Sequence, residues 1–543
     1  MKIFNRLTLL TMLLGAGFAC TDLDEDLTAD FTETFTPQNP GGGASINVNK
    51  ALPADGLNAA YDRLRNGTAW HGSYFSVAEI STDEAVITQK GGDWFDGGIW
   101  LNMHRHDFRP TNPGLNGSWN DIYGGIFQCN DLLATDLSDQ GRAEVRVVRA
   151  YLYWKLQDLF GHRIKLQTAT GQDVAQNEDG RAIVDFVESE VLAAIPDMGD
   201  ARVYGRFNKS AAYALLARLY LNAPSYLSTA GSVSSSAAIA DPVTNPTTGN
   251  SYYQDAIAAA DMVINSGLYD LDANYTEGPD GRMVSDVFSP TNVDNIEHIY
   301  AVPFDEATGG GMNFAQMTLH YPSQLTYRLN EQPWNGYSTL EEFYRSYDDA
   351  DMRKEAFFIE GPQTDVNGNP ILDVAFDKAD PDGAPINYTP EINELFPNGS
   401  RQAGARLGKF SFKLGQLNDM DNDYPLFRYG ELLLVKAEAL CRLNNSWSNG
   451  EAWALVNQVR ARAFEPDQPI TTFTEDAFLA ERGREVFQES LRRTDLIRFG
   501  KWGDAWWEKS AHSDTYKNVM PIPLDQINAA SADFPLTQHV PYR

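Results

Sequence analysis

The sequence predicts a mainly α-helical protein in which a helical-repeat scaffold carries one large, irregular, loop-rich lobe. Three observations support this fold class. Apolar residues recur at helical spacing in several segments, small residues are concentrated on those segments, and residues 268–423 show few helix signals. Since 43% of the 543 residues are apolar, the chain can bury a large core and does not have the composition of a disordered protein.

Amphipathic helices are predicted wherever apolar residues recur at steps of three and four positions. In the first such segment these residues are Val145, Val148, Leu152, Leu156 and Leu159. The predicted helices cover residues 143–160, 212–223, 253–264, 425–443 and 452–463. Because each helix has one apolar face, we expect these helices to pack against one another.

Alanine is abundant on two of these helices, at Ala211, Ala212, Ala214 and Ala217 and in Ala258–Ala260. Small side chains let helices approach closely, which is how paired helices cross in tetratricopeptide arrays. The full repeat consensus is absent from the sequence. We therefore predict a scaffold that is tetratricopeptide-like in its packing.

The predicted lobe, residues 268–423, has short signals of its own. His298–Val302 reads as a strand, and Asn367-Gly368 predicts a hairpin turn within Asp365–Asn369. Residues 224–251, rich in Ser, Thr, Ala and Gly, predict a further long loop between helices. Irregular segments on a rigid scaffold often hold binding sites, so we expect the lobe to contribute one.

The first 19 residues are predicted to be a signal peptide. Lys2 and Arg6 precede the apolar run Leu7–Leu14, and small residues then lead to Cys20. This junction resembles the bacterial lipobox, which predicts that Cys20 is lipidated and becomes the first residue of the exported protein. The alternative is an ordinary secreted protein in which Cys20 is incidental.

Residues 20–55 are predicted to form a lipidated N-terminus and tether, because they are polar and contain Pro37, Pro40 and Gly41–Gly43. The acidic run after Cys20 also resembles a surface-export tag. Residues 56–543 are predicted to form the folded domain.

Net charge and cysteine content narrow the possible functions. The formal net charge is −31, which argues against nucleic acid as a partner because phosphate binding needs a cationic surface. Only three cysteines occur, so no disulfide framework is present. Cys129 and Cys441 lie in apolar stretches and are predicted to be small buried residues.

The most specific motifs lie near the C-terminus: Glu481–Phe487, Arg492–Trp502, Pro521–Pro523 and Pro541-Tyr542. Supporting matches are Ala143–Gly161, Lys209–Leu221, Phe427–Leu434, Ala437–Leu440 and Val456–Ala463. Through these motifs the chain resembles, over nearly its whole length, the SusD/RagB family of nutrient-binding outer-membrane lipoproteins.

This resemblance implies a SusD-like fold with a helical core of about four tetratricopeptide-like helix pairs. The core would comprise residues 56–267 and 424–543, and the irregular lobe, residues 268–423, would hold the ligand. The resemblance also implies a non-enzymatic role. Such a protein caps a SusC-like TonB-dependent barrel and delivers an oligosaccharide or other nutrient to it, anchored by lipid at the outer surface of the outer membrane.

Charged residues within the C-terminal motifs alternate in sign at helical spacing. They are Arg484, Glu485, Arg492, Arg493, Asp495 and Arg498. We interpret them as buried or half-buried ion pairs that join helices, with no catalytic role.

Two segments supply the candidate ligand site. The first is glycine-rich and contains Asp93, Trp94, Asp96, Trp100 and Asn102. The second contains Trp334 and Tyr337. Indole faces can stack on sugar rings, and carboxylate and amide groups can hydrogen-bond hydroxyls. The alternative is that these tryptophans only pack the loops, as most large aromatic side chains do.

Signals for catalysis are weak. Asp83-Glu84 and Asp348-Asp349 are carboxylate pairs, but adjacent residues do not define the geometry that glycoside hydrolysis needs. Phosphate-binding, dinucleotide-binding and nucleophile-elbow motifs are absent from the sequence. We therefore predict no catalytic residue.

The sequence predicts no metal site and no cofactor. His104, His106 and Asp107 lack a convincing further zinc ligand. A second group, Asp419, Asp421 and Asp423, begins like a calcium-binding loop, but the glycine and glutamate that such a loop needs later are missing. A looser structural calcium site there stays open.

Two other functions compete with nutrient binding. The chain could be a surface interaction scaffold without a small ligand, or, with weaker support, a surface glycosidase. A polysaccharide-binding assay separates the first alternative from nutrient binding, and a hydrolysis assay tests the second.

Overall fold

The computed structural model describes residues 50, 52–65, 68–227, 243–308, 310–373 and 383–542. The predicted signal peptide, the predicted lipidation site Cys20 and nearly all of the predicted tether lie outside the described residues. Within the described ranges, no helix is both long enough and apolar enough to cross a membrane.

Helices dominate the described structure, and its strands are short. The α-helices are α1 (Asn58–Arg65), α2 (Tyr74–Ile80), α3 (Ile99–His104), α4 (Pro113–Leu133), α5 (Asp139–Phe160), α6 (Gly180–Ala194), α7 (Lys209–Leu227), α8 (Tyr252–Ile264), α9 (Phe314–Thr318), α10 (Gln324–Tyr327), α11 (Glu341–Arg345), α12 (Met352–Phe357), α13 (Tyr429–Leu443), α14 (Gly450–Ala461), α15 (Glu475–Val486), α16 (Arg492–Arg498) and α17 (Leu524–Ala529). The strands are β1 (Ala85–Ile87), β2 (Tyr275–Glu277), β3 (Met283–Ser285), β4 (His298–Val302), β5 (Tyr337–Thr339), β6 (Phe358–Ile359), β7 (Gly361–Pro362), β8 (Asn387–Tyr388), β9 (Arg406–Leu407) and β10 (Tyr424–Arg428). They form antiparallel two-stranded sheets, β1 with β5, β2 with β3, β4 with β10, β6 with β9 and β7 with β8.

The longer helices form the scaffold by stacking in chain order. Helix α4 packs on α5, α5 on α6, α6 on α7 and α7 on α8, after which α8 packs on α13 and α13 on α14. The chain leaves this stack after α8 and returns to it at α13, and short elements occupy the interval. The mainly α, helical-repeat fold class is therefore confirmed, while the domain limits stay predictions. Cys129 in α4 and Cys441 in α13 are buried and free, as predicted.

Small side chains allow the close contact between α7 and α8. Ala211, Ala212 and Ala217 of α7 and Ala256 and Ala260 of α8 are completely buried. Close approach of this kind removes apolar surface from water, which contributes about 25 cal/mol per Å² to folding. The predicted burial is confirmed for Ala211, Ala212, Ala217 and Ala260, whereas Ala258 is exposed.

Side-chain caps define where several scaffold helices begin. The side chain of Asn112 accepts a hydrogen bond from the N–H of Gly114 at the start of α4. Ser251 and Gln254 form a reciprocal capping box at the start of α8. Caps satisfy N–H groups that have no partner within the helix, and each contributes about 1 kcal/mol.

One predicted helix begins later than expected. Residues 424–428 form β10, which pairs with β4, and α13 starts only at Tyr429. Pro425 has no N–H to donate within a helix, and the extended backbone of this segment bonds to β4 instead. The prediction of a helix from residue 425 was therefore wrong at its start. The predicted strand at His298–Val302 is confirmed, because it is β4.

The predicted hairpin turn in the lobe is also confirmed. The N–H of Asp365 donates to the carbonyl of Asn369 at 2.8 Å, and the N–H of Gly368 donates back to Asp365 at 2.9 Å. Gly368 has a φ of 80°, a left-handed conformation that glycine adopts without strain.

Charged residues of the C-terminal motifs are buried and paired. Glu297, Arg353, Arg428, Arg462, Glu481, Glu485 and Glu489 form a connected group, here called the buried ion network. Nη1 of Arg428 lies 2.6 Å from Oε1 of Glu485, and Nη1 of Arg353 lies 3.0 Å from its Oε2. Burial raises the pKa of Glu485, but the surrounding guanidinium groups outweigh burial and hold that pKa well below its usual range.

The other charged residues singled out in the sequence form ion pairs as predicted. These pairs are Arg484 with Glu481, Arg492 with Asp83, Arg493 with Asp158, and Arg498 with both Glu438 and Asp495. The pair of Arg484 with Glu481 lies within α15 and that of Arg498 with Asp495 within α16, whereas the others join α16 to α5, to α13 and to the segment before β1. The motif that contains α16 therefore holds separate parts of the fold together.

Candidate functional site

An open cleft lies where the segment after β1 meets the segment before β5. Antiparallel pairing of β1 with β5 brings these two segments side by side. The cleft has a volume of about 720 Å³. Its lining residues are His71, Gly92, Asp93, Trp94, Asp96, Tyr321, Gln332, Pro333 and Trp334. The predicted ligand residues Asp93, Trp94, Asp96 and Trp334 therefore share one cavity, whereas Trp100, Asn102 and Tyr337 do not line it.

Trp94 and Trp334 are joined directly, although 240 positions separate them in the chain. Nε1 of Trp94 donates a hydrogen bond to the carbonyl oxygen of Trp334 at 2.6 Å. The N–H of Trp334 in turn donates to the carbonyl of Gln316 at 2.6 Å. Both indoles are half-buried, so each is held by protein contacts and still presents part of its surface.

The backbone around these tryptophans is unusual. Trp94 has a φ of 64° and Asn335 a φ of 58°, both in the left-handed region. A Cβ placed on Gly336, just before β5, would lie 2.4 Å from Cζ2 of Trp94. Only glycine at this position therefore lets the indole of Trp94 lie against the backbone. Non-glycine residues in this region cost about 1 kcal/mol or more, and such strain is concentrated at functional sites.

Asp93 belongs to a polar group that sequence analysis found only in part. Its Oδ2 accepts a hydrogen bond from the hydroxyl of Tyr321 and lies 3.0 Å from Nη1 of Arg401. That Nη1 also donates to the Tyr321 oxygen at 2.7 Å. The Arg401 side chain is 1% exposed and the Asp93 side chain 39% exposed, so the cation lies behind the carboxylate that faces the cleft.

His71 forms part of the cleft wall and has a buried support. Its Nδ1 lies 3.0 Å from the hydroxyl oxygen of Tyr337, which lies 2.6 Å from Oγ of Ser76. Its ring centroid is 5.1 Å from that of Trp94. Burial lowers the pKa of His71 to about 4, although the negative charge of Asp96 acts to raise this pKa. The imidazole is therefore neutral near pH 7.

The three predicted residues that do not line the cleft have other positions. Tyr337 is completely buried and supports His71 from below. Trp100 is only 6% exposed, and its Nε1 donates to Oδ2 of Asp96 at 2.7 Å. Asn102 lies within α3, where its side chain is half-buried. Trp100 and Tyr337 instead hold Asp96 and His71, which line the cleft. Contact of the seven predicted residues with a ligand stays a prediction.

Sequence reasoning missed His71, Tyr321, Gln332 and Arg401. Gln332 is two positions before Trp334, so extending that candidate segment would have included it. The others carry no local signal, because tertiary contacts alone bring them to Trp94 and Asp93.

The histidines that were weighed as zinc ligands are occupied by the protein. Nε2 of His104 is 2.7 Å from the carbonyl oxygen of Trp507. His106 is 2.8 Å from the carbonyl of Ser81 and 3.0 Å from Oγ of Ser513. Among the described residues, no group of three or more His, Cys, Asp or Glu side chains could hold a metal ion.

The carboxylates of the calcium-like segment accept hydrogen bonds from the protein. The N–H of Gly311 donates to Asp419 at 2.8 Å, the N–H of Glu306 to Asp421 at 2.8 Å, and the hydroxyl of Tyr204 to Asp423 at 2.9 Å. These contacts leave less capacity for a cation, and structural calcium at this segment stays an untested expectation.

The paired carboxylates noted in the sequence lie in structural contacts. Asp83 is held by Arg492 at 2.7 Å, and Asp349 by Lys354 at 2.6 Å. Glu84 is completely buried beside Glu79, with which it shares a hydrogen bond. These positions favour structural roles for all three carboxylates.

Comparison with known families gives two matches. The model described as "SusD family" matches residues 402–531, and the model described as "Starch-binding associating with outer membrane" matches residues 54–221. The first match includes the motifs Glu481–Phe487, Arg492–Trp502 and Pro521–Pro523, and the second includes the loop that carries Trp94.

Individual relatives cover most of the chain. Starch-binding protein SusD of Bacteroides thetaiotaomicron is 26% identical over 429 residues, which is 71% of this chain and 70% of the relative. SusD-like protein P25 of Formosa agariphila is 22% identical, with 97% of each chain covered.

Solved structures share the fold. A laminarin-binding SusD-like protein superposes with a TM-score of 0.64 at 22% identity, covering 89% of this chain and 97% of its own. Surface glycan-binding protein A from Bacteroides thetaiotaomicron, in complex with laminarihexaose, gives the same TM-score, identity and coverage. A SusD superfamily protein from Parabacteroides distasonis superposes at 0.65, with 20% identity over 90% of this chain and 98% of that chain.

Proposed function

The chain belongs to the SusD/RagB family, and from that premise we propose that it captures a glycan at the cell surface and passes it to a TonB-dependent outer-membrane transporter. Capture takes place in the cleft between Trp94 and Asp93 on one side and Trp334 on the other. The protein holds its ligand without changing it chemically.

The observation that carries this proposal is that two half-buried indoles and several hydrogen-bonding groups line one open cleft. Pyranose rings have apolar faces that stack on indoles and equatorial hydroxyls that need polar partners. The cleft supplies both, since Asp93, Asp96 and Gln332 stand beside Trp94 and Trp334. Sites for small ligands generally combine aromatic walls with a few placed polar groups in this way.

Capture fits the cleft better than hydrolysis does. Glycosidases place two carboxyl groups on opposite sides of the scissile bond, about 5–9.5 Å apart. The carboxylates lining the cleft within the described residues, Asp93 and Asp96, are on one loop. Asp93 also forms an ion pair with Arg401 and accepts a hydrogen bond from Tyr321.

Delivery to a SusC-like barrel and anchoring through Cys20 complete the proposal. One matching family model is described as associating with the outer membrane. A lipid on Cys20 would hold the folded domain at that surface, and the following residues would span the distance to it.

Affinity electrophoresis against plant, host and microbial polysaccharides tests the proposal. The protein starts after Cys20, without lipid, and is compared with the Trp94→Ala, Trp334→Ala double variant. We expect retardation of the parent by at least one polysaccharide and loss of that retardation in the double variant. Trp507→Ala is the matched control, because this half-buried tryptophan does not line the cleft.

Other outcomes would contradict the proposal in different ways. Absence of retardation by every polysaccharide would favour the interaction scaffold, and co-purification with a barrel partner would then be the next measurement. Release of reducing ends from a retained polysaccharide would instead show a glycosidase.

A further inference from the structure

Two exposed phenylalanines pack against each other, and one of them, Phe95, lies in the chain between two residues that line the cleft. Phe95 is 42% exposed and Phe396 is 41% exposed, although large aromatic side chains are usually mostly buried. Their ring centroids lie 5.4 Å apart, and the ring planes meet at 36°. The two rings therefore form a shallow, V-shaped apolar surface that solvent reaches.

The loops that carry this pair are fastened to each other. The N–H of Gln89 donates to the carbonyl of Leu395 at 3.0 Å, and the N–H of Gly399 donates to the carbonyl of Gln89 at 2.9 Å. Arg401, in the same segment as Phe396 between β8 and β9, lies 3.0 Å from Asp93 in the loop that carries Phe95. The pair is thus held by the same contacts that hold the polar side of the cleft.

The pair is also continuous with the cleft along the chain. Phe95 lies between Trp94 and Asp96, both of which line the cleft, and successive Cα atoms are about 3.8 Å apart. A Cβ on Gly97 would meet no atom within 4 Å, so the backbone next to the pair is open.

We propose that Phe95 and Phe396 form an additional subsite, which binds those sugar residues of the captured glycan that extend beyond the cleft. The inference rests on the proposed function, because the occupant is the same glycan chain. A glycan too short to reach past Trp94 and Asp96 leaves this subsite empty. Affinity should consequently rise with chain length, and the two phenylalanines should account for the rise.

The expected contribution is modest. We expect packing of one sugar face on a phenyl ring to change affinity about two- to tenfold. Phe396 is the better position for a test, since Phe95 adjoins Trp94 and its replacement could shift that residue.

Calorimetric titration with oligosaccharides of two lengths tests the subsite. The probes are maltotriose and maltoheptaose, and laminaritriose and laminarihexaose. The proteins are the parent, Phe396→Ala, and Phe396→Leu, which keeps apolar bulk without a ring. Phe127→Ala is the control, because Phe127 is 53% exposed in α4 and does not line the cleft.

In the parent we expect the longer probe of one series to bind more tightly than its trisaccharide. Phe396→Ala should weaken the longer probe about two- to tenfold and change the trisaccharide less than twofold. Phe396→Leu should recover only part of the loss, and Phe127→Ala should change neither probe.

Three results would overturn the inference. Equal weakening of both lengths would mean that the pair only braces the loop. Equal affinity of the parent for both lengths would remove the subsite while leaving glycan capture intact. Failure of the parent to bind any of these probes or any polysaccharide on the electrophoresis panel would remove capture and the subsite together.

Discussion

Two regions of this protein are rich in polar groups, and they use them in opposite ways. In the buried ion network, Arg428 and Arg353 are 1% exposed, and each is matched to several carboxylates. In the cleft, carboxylates and indoles keep one side open, as the 39% exposed side chain of Asp93 shows. The network includes Glu481 and Glu485 of the C-terminal motifs and residues from other elements, whereas the cleft is built from loops.

The buried ion network has more charged residues than the cleft, so a high density of charge does not identify the functional site. In the network every guanidinium group faces carboxylates, so its hydrogen-bonding groups are not available to a ligand. We therefore assign the network to the specificity of the fold. The cleft has fewer charges, but its hydrogen-bonding groups and aromatic faces are only partly used by the protein. Four experiments test this contrast between the buried ion network and the cleft.

The largest effect should come from the network. Glu485→Gln removes a charge that faces Arg353, Arg428 and Arg462. Breaking a buried ion pair leaves uncompensated charge, so the free energy of unfolding should fall by about 3–5 kcal/mol. Urea denaturation measures it. Glu342→Gln on the exposed surface is the control, and a similar loss in both variants would refute the contrast.

Next in size is the loss of binding when one indole is removed from the cleft. Trp94→Ala should weaken binding of a retained glycan about thirtyfold, or about 2 kcal/mol, as at other aromatic hot spots. Its thermal midpoint should fall less than that of Glu485→Gln, because Trp94 is only half-buried. Calorimetric titration and a thermal melt measure the two quantities. Unchanged affinity with a large loss of stability would assign Trp94 to packing alone.

A third effect concerns Glu79 and Glu84, which are buried as a carboxyl pair. Burial and the Glu79 carboxylate raise the pKa of Glu84 well above its ordinary value of 4.5. The folded state thus keeps a proton that the unfolded chain releases, so stability from the pair is complete below about pH 4.5 and is lost as pH rises through the folded pKa. Their charged neighbours include Asp83, Lys409, Glu489 and Arg492.

Glu84→Gln tests this dependence on pH. Relative to the parent, the variant should gain stability as the pH rises from 5 to 8, because the amide has no proton to lose. Thermal melts of both proteins across this range measure the gain. A constant difference would show that the pair does not titrate there, and Glu342→Gln serves again as the exposed control.

The smallest effect should be selectivity against anionic glycans. The described residues lining the cleft include Asp93 and Asp96 but no lysine or arginine, and Arg401 is matched to Asp93. Two like charges about 7 Å apart in water repel by about 0.6 kcal/mol, roughly a threefold change in affinity. An oligosaccharide oxidised to uronic acid at C6 should therefore bind about threefold more weakly than its neutral form.

Asp96→Asn should reduce the ratio of the affinities for the neutral and the oxidised oligosaccharide at low salt, because it removes one negative charge from the cleft. Asparagine tolerates the left-handed backbone at this position. High salt should narrow the ratio in the parent, since ions screen exposed charges. Asp533→Asn makes the same change of net charge on an exposed segment and should leave the ratio alone. A ratio that Asp96→Asn leaves unaltered would exclude a local charge effect.

Much of the scaffold could be predicted from sequence because it depends on neighbours in the chain. Spacing of apolar residues located α5, α7, α8 and α14 to within a few positions, and the dipeptide Asn367-Gly368 located a turn. The same reasoning failed at residues 425–428, where apolar spacing suited a helix but pairing with β4 decided the outcome. Periodicity describes a single segment and contains no information about a partner strand more than a hundred residues away.

The cleft shows the same limit more strongly. Composition and local motifs identified both tryptophan segments as candidates, yet only the pairing of β1 with β5 brought Trp94 to Trp334. Arg401 lies 308 positions from Asp93, and no local pattern links them. From the sequence alone, five of the scaffold helices, α5, α7, α8, α13 and α14, could be located, and residues with the chemistry to bind a sugar could be identified. The tertiary structure decided which of those residues keep an open side, because burial and pairing depend on contacts between segments that are distant in the chain.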